Sequence, residues 1–210
     1  MYWERNYTAW ERNENENFYD FGGNVFDENP FYRLNHTQSF MPEPDGFKCN
    51  KSTVTTRLIR YLEKARNPLE ANRDYYYFLV ANCYYNMSFY GNAWMMNRFF
   101  RSSAESSEPN VEGDRNYHGC HLAKKYYLEA LSHAKSDKFR ALCLRMAGTC
   151  HERGLYYEID SDYEAKVAFQ ARGFQFQNPY YQELAKRFPD DYEKLAGNCS
   201  YFEQYFRARP

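Results

Sequence analysis

The sequence predicts an all-α fold: antiparallel helical hairpins in an irregular repeat array, preceded by an extended N-terminal arm. Three observations carry this reading. Valine and isoleucine, the residues that favour strands, are scarce. Aromatic residues make up 20% of the 210 residues, with 22 Tyr and 17 Phe, and tyrosines suit helices that pack the ring inside and leave the hydroxyl at the edge. From residue 52 onward, apolar residues recur at helical spacing.

Residues 1–50 are poor in aliphatics. Their "NENEN", "DFGGN", "DENP" and "MPEPDG" runs are turn signals, so this stretch reads as an extended arm that can form one short helix at its start. Helical patterning begins near Ser52, with Leu58, Tyr61 and Leu62 on one face, and ends at Asn67-Pro68. The next helix is expected from Asp74, as N-cap, to Met87, with Tyr77, Val80, Ala81 and Tyr84 inward. Gly91 marks a turn, and a second helix is expected over 92–101. The run "SSAESSEPNVEG" has no apolar periodicity, which predicts a flexible loop at 102–114.

A third helix is expected over 117–134, its stripe including Leu122, Ala123, Tyr126, Tyr127, Ala130 and Leu131. A fourth is expected over 137–153, burying Phe139, Leu142, Cys143, Met146, Ala147 and Cys150 and stopped by Gly154. Three more follow. One spans 161–172. One opens at Asn178-Pro179, an N-cap with proline at the first helical position, and ends before Pro189. The last uses Tyr192, Leu195, Ala196, Cys199 and Phe202. The chain thus divides into an arm, 1–50, and a helical domain, 51–210.

Charge and hydropathy exclude several functions. A net charge of −1 without a basic cluster gives no footprint for nucleic acid. No apolar run reaches the length of a membrane span. The first residues lack the basic start and apolar stretch of a signal peptide, so the chain is expected to be cytosolic or a piece of a longer protein, and its patterned start favours the piece. Six widely spaced cysteines without a Cys-x-x-Cys argue against a dense disulfide framework.

Spacing between helices adds a resemblance. A tetratricopeptide (TPR) unit sets a bulky aromatic, then Leu-Gly three and four residues on, then a Tyr, and a small Ala in its second helix. Tyr77, Val80, Ala81, Tyr84 and Ala93 resemble that series. Ala123, Tyr127 and Ala130 resemble the second helix of another unit, and Cys143, Met146, Ala147 and Cys150 the first helix of the next. The loop at 102–114 stands where one helix of a regular array is expected.

More narrowly, "NPFYR", "ANCYYNMSFYGNAW", "KKYYLEAL", "MAGTCHERGLYY" and "NPYYQELAKRFPDDYEKL" together resemble the C-terminal region of a family of large TPR-like proteins of Gram-negative bacteria. The family carries no assigned activity. The resemblance spans roughly residues 29–202 and implies a cell-envelope setting, periplasmic or outer-membrane associated, with the cytoplasm as the alternative.

The function this implies is protein–protein scaffolding within a larger assembly, possible at a membrane surface, with no cofactor, no catalytic residues and the oligomeric state open. Candidate partner-binding rings are Trp3, Tyr7 and Trp10, which share one face of a short helix, together with Tyr75, Tyr76 and Trp94. Surplus rings fit either a partner or stacking of neighbouring repeats. The alternative function is a metal-binding or enzymatic module around Cys120, Cys150, His118, His121 and His151. Cys120 and Cys150 are nearly equidistant from the turn at Ser136, so an antiparallel hairpin brings them close. Buried thiols with rim histidines, a disulfide, or a metal site all fit that geometry. No metal is favoured, because adjacent Cys and His diverge by about 100° around a helix. No spacing meets the requirements of an active site.

Overall fold

A computed structural model describes residues 29–34, 49–98, 112–159, 162–171, 178–197 and 202–209. Every regular element among them is helical: α1 (Lys51–Arg66), α2 (Arg73–Asn86), a 3-10 turn (Trp94–Met96), α3 (Glu112–Tyr117), α4 (His121–His133), α5 (Asp137–Glu158), α6 (Tyr163–Ala171), α7 (Pro179–Arg187), α8 (Pro189–Gly197) and α9 (Phe202–Arg207). No helix among them is long and apolar enough to cross a membrane.

The helices pack largely in chain order. α1 lies on α2, α2 on α4, α4 on α5, α5 on α7 and α7 on α8, while α9 returns to α5. Short connections set the α1–α2, α4–α5 and α7–α8 contacts, because a helix that ends in a tight turn has its predecessor as nearest neighbour.

Local sequence sets most boundaries. The Asn50 side chain accepts a hydrogen bond from the Thr53 N–H (2.8 Å), and Thr53 Oγ1 accepts one from the Asn50 N–H (3.1 Å). This reciprocal pair satisfies two otherwise unpaired donors at the start of α1. Ser136 caps α5 through the Phe139 N–H, and Asn178 caps α7 with Pro179 behind it. The predicted inward face of α5, Phe139, Leu142, Cys143, Met146, Ala147 and Cys150, is buried throughout.

α2 is the hub of the core. Phe78, Leu79, Val80, Ala81, Asn82, Cys83 and Asn86 are all sealed from solvent, so this helix is covered on nearly every side rather than along one stripe. Tyr77 and Tyr84 stack on Tyr126 of α4, and Phe78 meets Tyr127 edge-on at 5.3 Å. Ala81 and Ala93 have no exposed surface. Ala81→Leu and Ala93→Leu are each expected to destabilise by about 1–3 kcal/mol through overpacking; thermal melts matching the parent chain would show that these positions tolerate bulk.

Several expectations are corrected. The helix expected over 92–101 is absent from its described part, 92–98, which holds only the 3-10 turn. The chain instead folds back on the end of α2: the Ala93 N–H donates to Asn86 O (2.8 Å), and Asn97 Nδ2 donates to Met87 O (2.9 Å). Gly91 makes that return possible, since a Cβ there would lie 2.1 Å from Asn86 Cα. Trp94 is buried in the fold-back. Ala93 is therefore a turn residue and not part of a second helix.

Asp74 is not an N-cap; it lies in the first turn of α2, after Arg73. The helix expected over 117–134 is present as α4, His121–His133, and starts later than expected; α3 ends at Tyr117, and a turn separates the two at Cys120, whose φ of 54° is left-handed. The carbonyl of Tyr117 at the end of α3 is taken by the Phe89 N–H (2.8 Å), which holds the break in place. α3 begins inside the expected loop, at residue 112; residues 99–111 lie outside the described set.

α5 runs on to Glu158, so Gly154 is not its terminus. A Cβ there would meet Gly119 O at 3.3 Å, and the glycine admits the α3–α4 turn. The final expected helix is α8 and α9, with 198–201 between them outside the described residues.

The arm is corrected in part. Residues 29–34 form a turn with Phe31, Tyr32 and Leu34 fully sealed in the core. Asn82 Nδ2 donates to Phe31 O (2.8 Å), and Asn86 Nδ2 donates to Pro30 O and Arg33 O (2.7 and 2.6 Å). Trp3, Tyr7 and Trp10 lie outside the described residues.

Candidate functional site

Two places gather polar chemistry in the interior. The first is where the α3–α4 turn meets α5. Cys120 ends the turn and Cys150 sits in the middle of α5. Both thiols are buried and free, and they share a hydrogen bond.

Burial pushes the Cys120 thiol up, but hydrogen bonds from Cys150 and Ser88, together with the Arg153 guanidinium, bring it below its ordinary value. Cys150 moves the other way: burial, its hydrogen bond to Cys120 and the charge on Cys120 hold it well above the thiol range. Arg153 is itself half-enclosed, its guanidinium 4.1 Å from the centre of the Tyr90 ring. Burial also raises the Tyr85 hydroxyl, which faces the same cluster.

The three expected histidines surround the pair without converging on it. His118 is buried, edge-on to Tyr117 at 4.8 Å and stacked on Tyr157. His121 Nδ1 lies 3.4 Å from an Arg115 nitrogen. Burial, Lys124 and Arg115 all lower its pKa, so its ring is neutral at pH 7. His151 meets the Tyr180 ring at 5.4 Å and is lowered by burial and Lys124. Among the described residues, no group of three or more His, Cys, Asp or Glu is arranged to hold a metal ion.

The second place is a line of tyrosine hydroxyls from the 29–34 turn, α1 and α2. Tyr32 OH joins Tyr61 OH (3.3 Å) and Tyr75 OH (2.9 Å). Burial raises the Tyr32 hydroxyl far above the phenol range. Lys64 Nζ donates to Tyr76 OH (2.9 Å). Tyr75 packs on Phe206, and the Arg209 guanidinium lies 4.7 Å from the Tyr75 ring centre. Tyr75, Tyr76 and Trp94, expected at a partner surface, thus make contacts inside this chain. The expected packing residues Tyr77, Val80, Ala81, Ala93, Ala123, Tyr127, Ala130, Met146 and Ala147 are buried, and Tyr84 is half-buried.

Sequence reasoning missed the interior amides and the closing ion pair. Asn82, Asn86 and Asn178 each hold a distant backbone carbonyl; Asn178 Nδ2 donates to Gly148 O at 2.8 Å. Two signals were present. Asn82 and Asn86 stand at i, i+4 in the aromatic and aliphatic stretch of α2 that follows Asp74, where an unpaired amide is costly. Asn-Pro followed by two aromatics occurs at both residue 29 and residue 178; the first copy is a buried turn held by α2, and the second caps and opens α7 with Asn178 buried against α5. Arg209 pairs with Asp74 through two bonds (3.1 and 3.0 Å), a partnership 135 residues apart with no local signature.

No protein-family model, no curated protein and no solved structure matches this chain.

Proposed function

We propose that this chain is a protein–protein interaction scaffold, a TPR-like array of helical hairpins forming a subunit or the C-terminal part of a larger bacterial cell-envelope assembly, and not an enzyme. The observation supporting this reading is chain-order packing. α1–α2, α4–α5 and α7–α8 are successive hairpins, each laid against the next, and such stacks bury their flanks while leaving outer faces for a partner. Burial of both thiols, Cys120 and Cys150, favours the scaffold over a catalyst at that place, because a reacting substrate needs access to the sulfur. The proposed partner surface excludes Tyr75, Tyr76 and Trp94 and retains Trp3, Tyr7 and Trp10.

The test is photo-cross-linking in the source cell, with the full parent protein. A photoreactive residue is placed at Trp3 and Trp10, and at the exposed Ile59, Leu69 and Val167. The scaffold reading predicts discrete adducts with one recurring partner chain in the envelope fraction. Adducts from none of these positions contradict it, as does stoichiometric zinc retained by the purified chain through dialysis.

A further inference from the structure

We propose that Cys120 and Cys150 form a modification site: a dithiol that an external disulfide oxidant converts into a cross-link pinning the α3–α4 turn to α5. The geometry carries this. The two thiols are buried and free, and each lies within hydrogen-bonding reach of the other. The backbone independently seats the turn on this face of α5. The neighbouring carbonyl, Gly119 O, lies 3.3 Å from where a Gly154 Cβ would stand, one helical turn beyond Cys150.

Cys120 is also the one described non-glycine residue with positive φ. Strain of that kind persists only where surrounding structure holds it. The other described cysteines are placed differently. Cys83 donates to Met87 Sδ at 3.7 Å, and Cys143 lies beside Asp74 and Arg209.

In thiol–disulfide exchange the thiolate is the nucleophile, and before the turn closes on α5 the thiols are open to an oxidant in solution. The Cys120 thiolate attacks a disulfide R–S–S–R, forming Cys120–S–S–R and releasing one R–S⁻. Cys150 then loses its proton to solvent, attacks the Cys120 sulfur and expels the second R–S⁻. Two protein thiols are oxidised to one disulfide, and the external disulfide is reduced to two thiols. Because Cys120 is sealed once folding is complete, the exchange belongs to the stage before the turn closes on α5. The bond encloses the α4–α5 hairpin, a loop long enough for appreciable restriction of the unfolded chain.

The full chain is refolded from denaturant with either reduced or oxidised glutathione, alkylated, digested without reduction and mapped by mass spectrometry. The expected result after oxidised refolding is a dominant Cys120–Cys150 linked peptide and a Tm higher by roughly 6–12 °C than that of the reduced chain. Cys120→Ser and Cys150→Ser each abolish the link and the gain. If a serine variant does not fold, the peptide map of the unsubstituted chain still decides. Free alkylated Cys120 and Cys150 overturn the proposal. So does a map dominated by another pair, such as Cys49–Cys83, or by glutathione adducts at Cys120. No outcome involves a partner chain, so the test stands apart from the scaffold reading.

Discussion

Arg209→Ala is expected to cost about 3–5 kcal/mol of stability, because it leaves a buried carboxylate without its partner. Asp74 is 1% exposed, and both its oxygens accept from the Arg209 guanidinium, at 3.0 and 3.1 Å. The same guanidinium covers the Tyr75, Phe139 and Phe206 rings at 4.7, 5.5 and 5.9 Å. Alanine therefore removes packing as well as charge.

The loss should appear as a Tm lower by roughly 10 °C, at about 2–4 °C per kcal/mol for a chain of this size. Replacing both partners, Asp74→Leu with Arg209→Met, should restore much of it, since the cost of a broken buried pair comes mainly from the stranded charge. A chain carrying Arg209→Ala that melts with the parent would mean that its end does not close on α2.

The second large effect is expected at Asn82. Asn82→Leu keeps the branching and heavy-atom count of the side chain but strands the Phe31 carbonyl and the Tyr127 hydroxyl, which lie 2.8 and 2.6 Å from the amide. Each buried polar group left unpaired costs about 1–3 kcal/mol, so the variant should lose about 2–5 kcal/mol. Urea unfolding should show a lower midpoint with an unchanged slope, because the surface exposed on unfolding is the same. A midpoint unchanged by the substitution would show that the amide is not holding the 29–34 turn against α2.

These two sites also mark where local sequence stopped being informative. The buried face of α5 and the Asn178-Pro179 helix start were legible because their causes lie within a few residues. The all-α class followed from periodicity and composition for the same reason.

The helix expected over 92–101 failed because the chain there bonds back to Asn86 and Met87; tertiary contacts, not periodicity, decide that segment. The break before α4 was hidden because Cys120 adopts a left-handed backbone that cysteine composition does not announce. The turn at 29–34 was read as part of an arm from its Asn, Pro and aromatics. Its burial depends on amides more than 50 residues away. At the thiol site, closeness of Cys120 and Cys150 followed from hairpin arithmetic. The roles of Ser88 and Arg153 did not, because they arrive from other turns of the fold.

The central claim is that the surplus rings of this chain close its own core, with the 29–34 turn and the Phe206–Arg209 end both lying on α2. Aromatic proton NOE spectroscopy on selectively labelled Phe and Tyr tests it most directly. The account predicts cross-peaks between the Phe31 and Tyr61 rings, whose centres are 5.1 Å apart, and between Phe206 and both Tyr75 and Phe78, at 5.6 and 5.8 Å. Helical shifts for α1, α2 and α5 accompanied by Phe31 and Phe206 peaks confined to their own segments would contradict it.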